Sequence, residues 1–94
     1  MPALPDDLIA ERLATLPDWD RVGDEIVKRF EFRTFPEAIA FVDRLAVDAE
    51  AANHHPDIDI RYNRVRIALT THDEGGISDK DFALAEAIER VREG

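Results

Sequence analysis

The stretch HHPDIDIRYNRVRIAL, residues 54–69, decides the fold. Pro56 cannot continue a helix, and Ile58, Ile60 and Tyr62 then alternate with polar residues in the two-residue period of a half-buried strand. Asn63-Arg64 reads as a two-residue turn, after which Val65, Ile67 and Leu69 alternate back. With Tyr62 opposite Val65, Ile60 meets Ile67 and Ile58 meets Leu69, a register that puts every apolar residue on one face.

That apolar face needs a cover, and the residues before it supply one. Thr34 and Glu37 form a T-x-x-E capping box, with Pro36 in the first turn where its missing N–H costs nothing. Ala38, Phe41, Val42, Leu45, Ala46 and Ala49 follow at helical spacing, predicting a long amphipathic helix that ends near Asn53. Further upstream, Leu8, Ile9, Leu13 and Leu16 predict a short helix over 6–16, closed by Pro17. Trp19 to Val22 reads as a strand and Gly23-Asp24 as a turn, and the alternation of Ile26, Lys28, Phe30 and Phe32 makes a second strand. Past the loop THDEGG, Ser78 and Asp81 give a box-like helix start, and Phe82, Ala85, Ile88 and Val91 form the last apolar stripe. The expected fold is α+β in the order α-β-β-α-β-β-α. One domain over 1–94 holds a four-stranded antiparallel sheet covered on one face by three helices. The other face and an edge strand are left uncovered, so self-association is expected.

Composition narrows the function. The 94 residues carry a formal net charge of −9. No Lys/Arg cluster stands out, which argues against nucleic-acid binding. Without cysteine there is no disulfide framework, thiolate nucleophile or cysteine zinc site. The N-terminal residues are acidic where a signal peptide is basic, and no apolar run is long enough to span a bilayer, so a soluble cytoplasmic protein is expected.

The three histidines are the chemistry-bearing residues. His54 and His55 sit where the long helix ends, and His72 follows the return strand of the hairpin. Singly, each has a plain structural reading: imidazoles at a helix C-terminus favoured by the macrodipole, and a histidine in a surface loop. Together they suggest a site, because helix end and strand end can meet at one edge of this fold. A shared metal is disfavoured, since neighbours on a helix diverge by about 100°. A nucleophilic triad is disfavoured because Thr70 and Thr71 carry no nucleophile motif. Acid/base work on one substrate remains, by groups that titrate near neutrality.

From residue 49 to 81, AEAANHHPDIDIRYNRVRIALTTHDEGGISDKD resembles the pterin-4a-carbinolamine dehydratase family. Glu50, His54, His55, Pro56, Tyr62, His72 and Asp81 occupy the family's pattern, and the likeness continues through FEFRTFPEAIAFV and through Trp19 in LPDW. The departure is at Asp57 and Ile58, where the family often has an aromatic. The resemblance implies dehydration of 4a-hydroxytetrahydropterin to quinonoid dihydropterin, in recycling the cofactor of aromatic amino acid hydroxylases, without a cofactor or metal of the enzyme's own. It implies a catalytic set of His54, His55 and His72, with acid and base unassigned. Asn53, Pro56, Thr70, Thr71 and Asp73 would lie against the pterin. Glu50 and Asp81 would orient imidazoles, though Glu50 also reads as a solvated helix pair and Asp81 as a cap. Trp19 reads either as closing the entrance or as core. A homodimer or homotetramer is implied. The alternatives are a protein-binding module resembling the family members that stabilise transcription-factor dimers, and a role near molybdopterin metabolism.

Overall fold

The computed structural model describes residues 3–93; Met1, Pro2 and Gly94, the ends of the expected domain, lie outside the described residues. In chain order the elements are α1 (Asp6–Leu13), β1 (Asp20–Val22), β2 (Glu25–Glu31), α2 (Phe35–Ala52), β3 (Asp57–Arg61), β4 (Arg64–Leu69), a 3-10 turn (His72–Glu74) and α3 (Asp79–Glu93). This is the expected α-β-β-α-β-β-α order. The four strands make one antiparallel sheet in the spatial order β1-β2-β4-β3.

Local chemistry sets the long helix. Thr34 is extended and its hydroxyl accepts the Glu37 N–H at 3.2 Å, fixing the start of α2. The reciprocal half of the capping box does not form, because the Glu37 carboxylate turns to Arg33 at 3.0 Å. Phe41, Leu45 and Ala49 of α2 are buried against a core that includes Ile26 and Phe30 of β2, Val65, Ile67 and Leu69 of β4, and Phe82, Ala85 and Ile88 of α3. Phe30 and Phe41 join sheet to helix with ring centroids 4.9 Å apart. Trp19 is core rather than an entrance: it is 3% exposed, packs edge-on to Phe30 and donates its indole N–H to Glu89 Oε2 at 2.8 Å. The same oxygen takes the Lys28 ammonium at 2.7 Å, which is how a lysine sits on the helix-covered face of the sheet.

Four expectations are corrected. First, α1 stops at Leu13 rather than Leu16, where the chain tightens into i→i+3 bonds from Thr15 N–H to Arg12 O and from Leu16 N–H to Leu13 O; Leu16 is still buried. Second, the hairpin reverses at Tyr62-Asn63, not Asn63-Arg64. Asn63 is tied to the end of β2, donating its amide to Phe32 O at 2.6 Å and accepting the Phe32 N–H on its carbonyl at 2.9 Å. Ile60 therefore meets Val65 and Ile58 meets Ile67. A slip of two residues keeps each side chain on its face, which is why the fold survives the wrong register. Third, that register was expected to bury Ile58 and Tyr62, but they are 38% and 68% exposed because β3 is an edge strand and Tyr62 lies in the turn. Fourth, a basic cluster does exist: strand pairing gathers Arg29, Arg61, Arg64 and Arg66 on the helix-free face of the sheet.

Candidate active site

The site begins where α2 ends. Asn53 adopts the left-handed conformation (φ 50°, ψ 42°), which asparagine tolerates better than most residues. Its N–H bonds Glu50 O and the His54 N–H bonds Ala49 O, each at 3.1 Å, the paired closure of a Schellman motif. The two histidines thus lie just beyond the helix rather than on its surface. In the segment leading to Pro56 they turn to different partners: His54 is largely buried and reaches Asp81 Oδ1 from Nε2 at 2.6 Å, whereas His55 is exposed and reaches Glu50 Oε1 from Nε2 at 2.8 Å.

Asp81 is fully buried at the N-terminus of α3. Its Oδ2 accepts the Ser78 N–H at 2.9 Å and the Thr71 hydroxyl at 2.9 Å. Thr71 has one hydroxyl proton and gives it to Asp81, so the 2.7 Å contact between Thr71 Oγ1 and Ser78 Oγ is a bond donated by Ser78. Ser78 Oγ in turn accepts the Lys80 N–H at 3.2 Å. One carboxylate therefore caps α3, pins the strand-end Thr71 and holds His54. With both donors on Oδ2, the remaining bond at Oδ1 is best made by the N–H of His54 Nε2, the tautomer that leaves Nδ1 as an acceptor.

His72 lies in the 3-10 turn after β4, which Gly75 (φ 84°) ends and which the Gly76 N–H closes back onto Thr71 O at 3.2 Å. An open cleft of about 280 Å³ is lined by Asn53, His54, His55, Thr70, Thr71, His72, Asp73 and Lys80. The structure brings the three histidines together in it, along with Asn53, Thr70, Thr71 and Asp73. Pro56 does not line the cleft, Glu50 stands behind His55, and Asp81 stands behind His54. Thr71 is 4% exposed and its hydroxyl is spent within the buried network.

Sequence reasoning missed Lys80, whose ammonium pairs with Glu74 at 3.1 Å. Burial works to raise the Glu74 carboxyl, but hydrogen bonding and charge from Lys80 help hold it below its ordinary value. The available signal was its place next to Asp81 in the first turn of the last helix. Ser78 was expected as a cap, but its hydroxyl contact with Thr71 was not legible, because it depends on the loop folding back.

Comparisons with known proteins identify the family and the fold. The family model described as pterin 4 alpha carbinolamine dehydratase matches residues 2–91. A Chloroflexus aurantiacus protein, named as a candidate pterin-4-alpha-carbinolamine dehydratase, is 62% identical over 91 residues, covering 97% of this chain and 98% of its own. A Thermomicrobium roseum protein named in the same way is 52% identical over 94% of this chain and 95% of its own. Among solved structures, a transcriptional coactivator/pterin dehydratase from Brucella melitensis superposes with a TM-score of 0.92 at 32% identity, over 96% of this chain and 98% of that one. A pterin dehydratase-like protein described as a RuBisCO assembly factor in the alpha-carboxysome superposes with a TM-score of 0.65 at 25% identity, over 79% and 86%.

Proposed function

We propose, from the premise that this chain belongs to the pterin-4a-carbinolamine dehydratase family of hydro-lyases, that its cleft dehydrates a 4a-hydroxytetrahydropterin to the quinonoid dihydropterin. The observation that carries the reading is the convergence of His54, His55 and His72 on one cleft, with His54 held by a buried carboxylate. In the reaction the C4a–O bond breaks, N5 loses its proton, and the N5–C4a double bond forms with water as the second product. Hydroxide is a poor leaving group, so one imidazolium gives its proton to the departing oxygen while a neutral imidazole accepts the N5 proton. The balance is one proton delivered and one removed, with no electrons exchanged.

His54 is fitted for one of these roles because Asp81 fixes its ring and hydrogen-bonds Nε2, as a buried carboxylate orients a base in hydrolytic triads. Thr70, Asn53 and Asp73 would face the pterin, and Lys80 adds a cation at the rim. The setting is pterin cofactor recycling in the cytoplasm. Among the described residues no helix is long and apolar enough to cross a membrane. The test is the rate of quinonoid dihydropterin formation from freshly generated 4a-hydroxytetrahydropterin in a stopped-flow spectrophotometer. Acceleration well above the buffer rate is expected, and folded protein that leaves the buffer rate unchanged would overturn the reading.

The chain also has surface suited to assembly into a homodimer or homotetramer. Val47 of α2 is 71% exposed, and a shallow groove of about 340 Å³ lies between α2 and α3, lined by residues that include Ala51, Ala83 and Leu84. Strands β1 and β3 leave two sheet edges open. Light scattering should give a mass of two or four chains, and a monomer at micromolar concentration would contradict this.

A further inference from the structure

The helix-free face of the sheet carries a feature that dehydration does not use. Arg29 of β2 lies directly opposite Arg66 of β4, and Arg64 of β4 directly opposite Arg61 of β3. Side chains so placed have Cβ atoms only about 4.5–5.5 Å apart, and like charges there oppose sheet formation. Partial compensation is on hand, since Glu31 lies opposite Arg64 and Asp59 opposite Arg66. Yet among the described residues Arg29, Arg64 and Arg66 form no ion pair, and Arg61 reaches Asp59 only at 3.4 Å with both side chains well exposed. Four guanidinium groups thus share one patch in a chain whose net charge is −9. They surround a shallow depression of about 400 Å³ with Asp59 at its side.

We propose that this arginine-lined depression binds a small anion carrying two or more phosphate groups. Guanidinium forks recognise phosphate oxygens in pairs, and a bound polyanion would relieve the repulsion among the four juxtaposed arginines. Size and surroundings select the ligand. The arginines span three strands, about 10 Å at about 4.8 Å per strand, which suits an oligophosphate. Asp18 and Asp20 flank the adjoining depression, beside Arg29 and Arg66, so a long nucleic acid would run off the patch onto acidic surface.

The test is calorimetric titration of the whole protein with inorganic triphosphate, for wild type, an Arg29→Gln/Arg66→Gln double variant, and Arg33→Gln as a control whose arginine lies outside the patch and is paired with Glu37. Saturable binding at one triphosphate per chain is expected, weakened at least tenfold in the double variant and unchanged in the control. Without ligand the double variant should melt no lower than wild type, because it removes a like-charged pair, and it should keep any dehydration activity of the wild type. ATP in a parallel titration separates sources: equal affinity identifies phosphate alone, tighter binding identifies a nucleotide, and both support the site. No heat with millimolar triphosphate, or equal weakening in the control, would overturn the proposal. Binding of an oligoglutamate peptide without binding of triphosphate would overturn it in favour of an acidic protein segment.

Discussion

Asp81 serves three partners through two oxygens, and its replacement is the most informative single change in the site. In Asp81→Asn the amide NH₂ cannot face the Ser78 N–H, a backbone donor that cannot turn away, so it must face His54 and demand an acceptor at Nε2. The imidazole proton then moves to Nδ1, and under the proposed function the nitrogen that would meet substrate changes from acceptor to donor. We expect a loss of roughly 10²–10⁴ in dehydration rate, with about 1–3 kcal/mol of stability lost to the weakened network, read from single turnovers and urea melts. The Glu50–His55 pair should behave differently. Both side chains are mostly exposed, so Glu50→Ala should change stability by less than about 0.5 kcal/mol; a larger shift in the urea midpoint at constant slope would contradict that. The sequence placed Glu50 one helical turn before His54 but could not show that it meets His55. The left-handed Asn53 swings both histidines off the helix, and helical spacing no longer applies beyond it. The buried contact of His54 with Asp81 joins residues 27 apart in the chain, and the sequence offered Asp81 only as a cap that could also touch the histidines.

Among the elements, the ones legible in advance were those whose local signals and tertiary packing agree. The helical stripe and the two-residue alternation predicted α2 and β4 because the apolar residues that set each period also face the core, with Ile60 of β3 packed against it. The hairpin register failed because the turn is decided from outside, by the two bonds that hold Asn63 to Phe32 of the neighbouring strand. Tyr62 adopts φ 53° as a consequence, a conformation costly for a residue with a side chain, and its ring is exposed. Tyr62→Gly should therefore be neutral or stabilising by up to about 1 kcal/mol. A clear destabilisation in thermal melts would show that the tyrosine ring makes contacts that matter. The early end of α1 has a similar cause. Arg12 is drawn to Asp79 at 2.6 Å and over the Phe82 ring, so docking onto the start of α3 competes with a further helical turn.

At the scale of the whole molecule, one face of the sheet holds the core and the other holds the arginines, with the histidine cleft at the junction of a helix end and a strand end. The Lys28–Glu89–Trp19 cluster ties β2 and the approach to β1 onto α3 across the covered face. Glu89→Ala leaves the Trp19 indole N–H without its acceptor and a lysine that is 8% exposed without its counter-charge, holding only Pro17 O at 3.3 Å, and we expect a loss of about 1–3 kcal/mol in urea unfolding, lessened by the partial exposure of Glu89. The arginine patch escaped the sequence reading because its members come from three strands and only pairing gathers them. The histidine cluster was easier to anticipate, since two of its members are adjacent and the third follows the next hairpin. Under the proposed function these imidazoles act as a unit on one substrate. Single-turnover dehydration by wild type, His54→Ala, His72→Ala and the double variant measures that coupling. We expect each single change to cost about 10²–10⁴ in rate and the double to cost much less than their product, as for groups that act together. Single variants that both retain the wild-type rate would show that His54 and His72 take no part in dehydration.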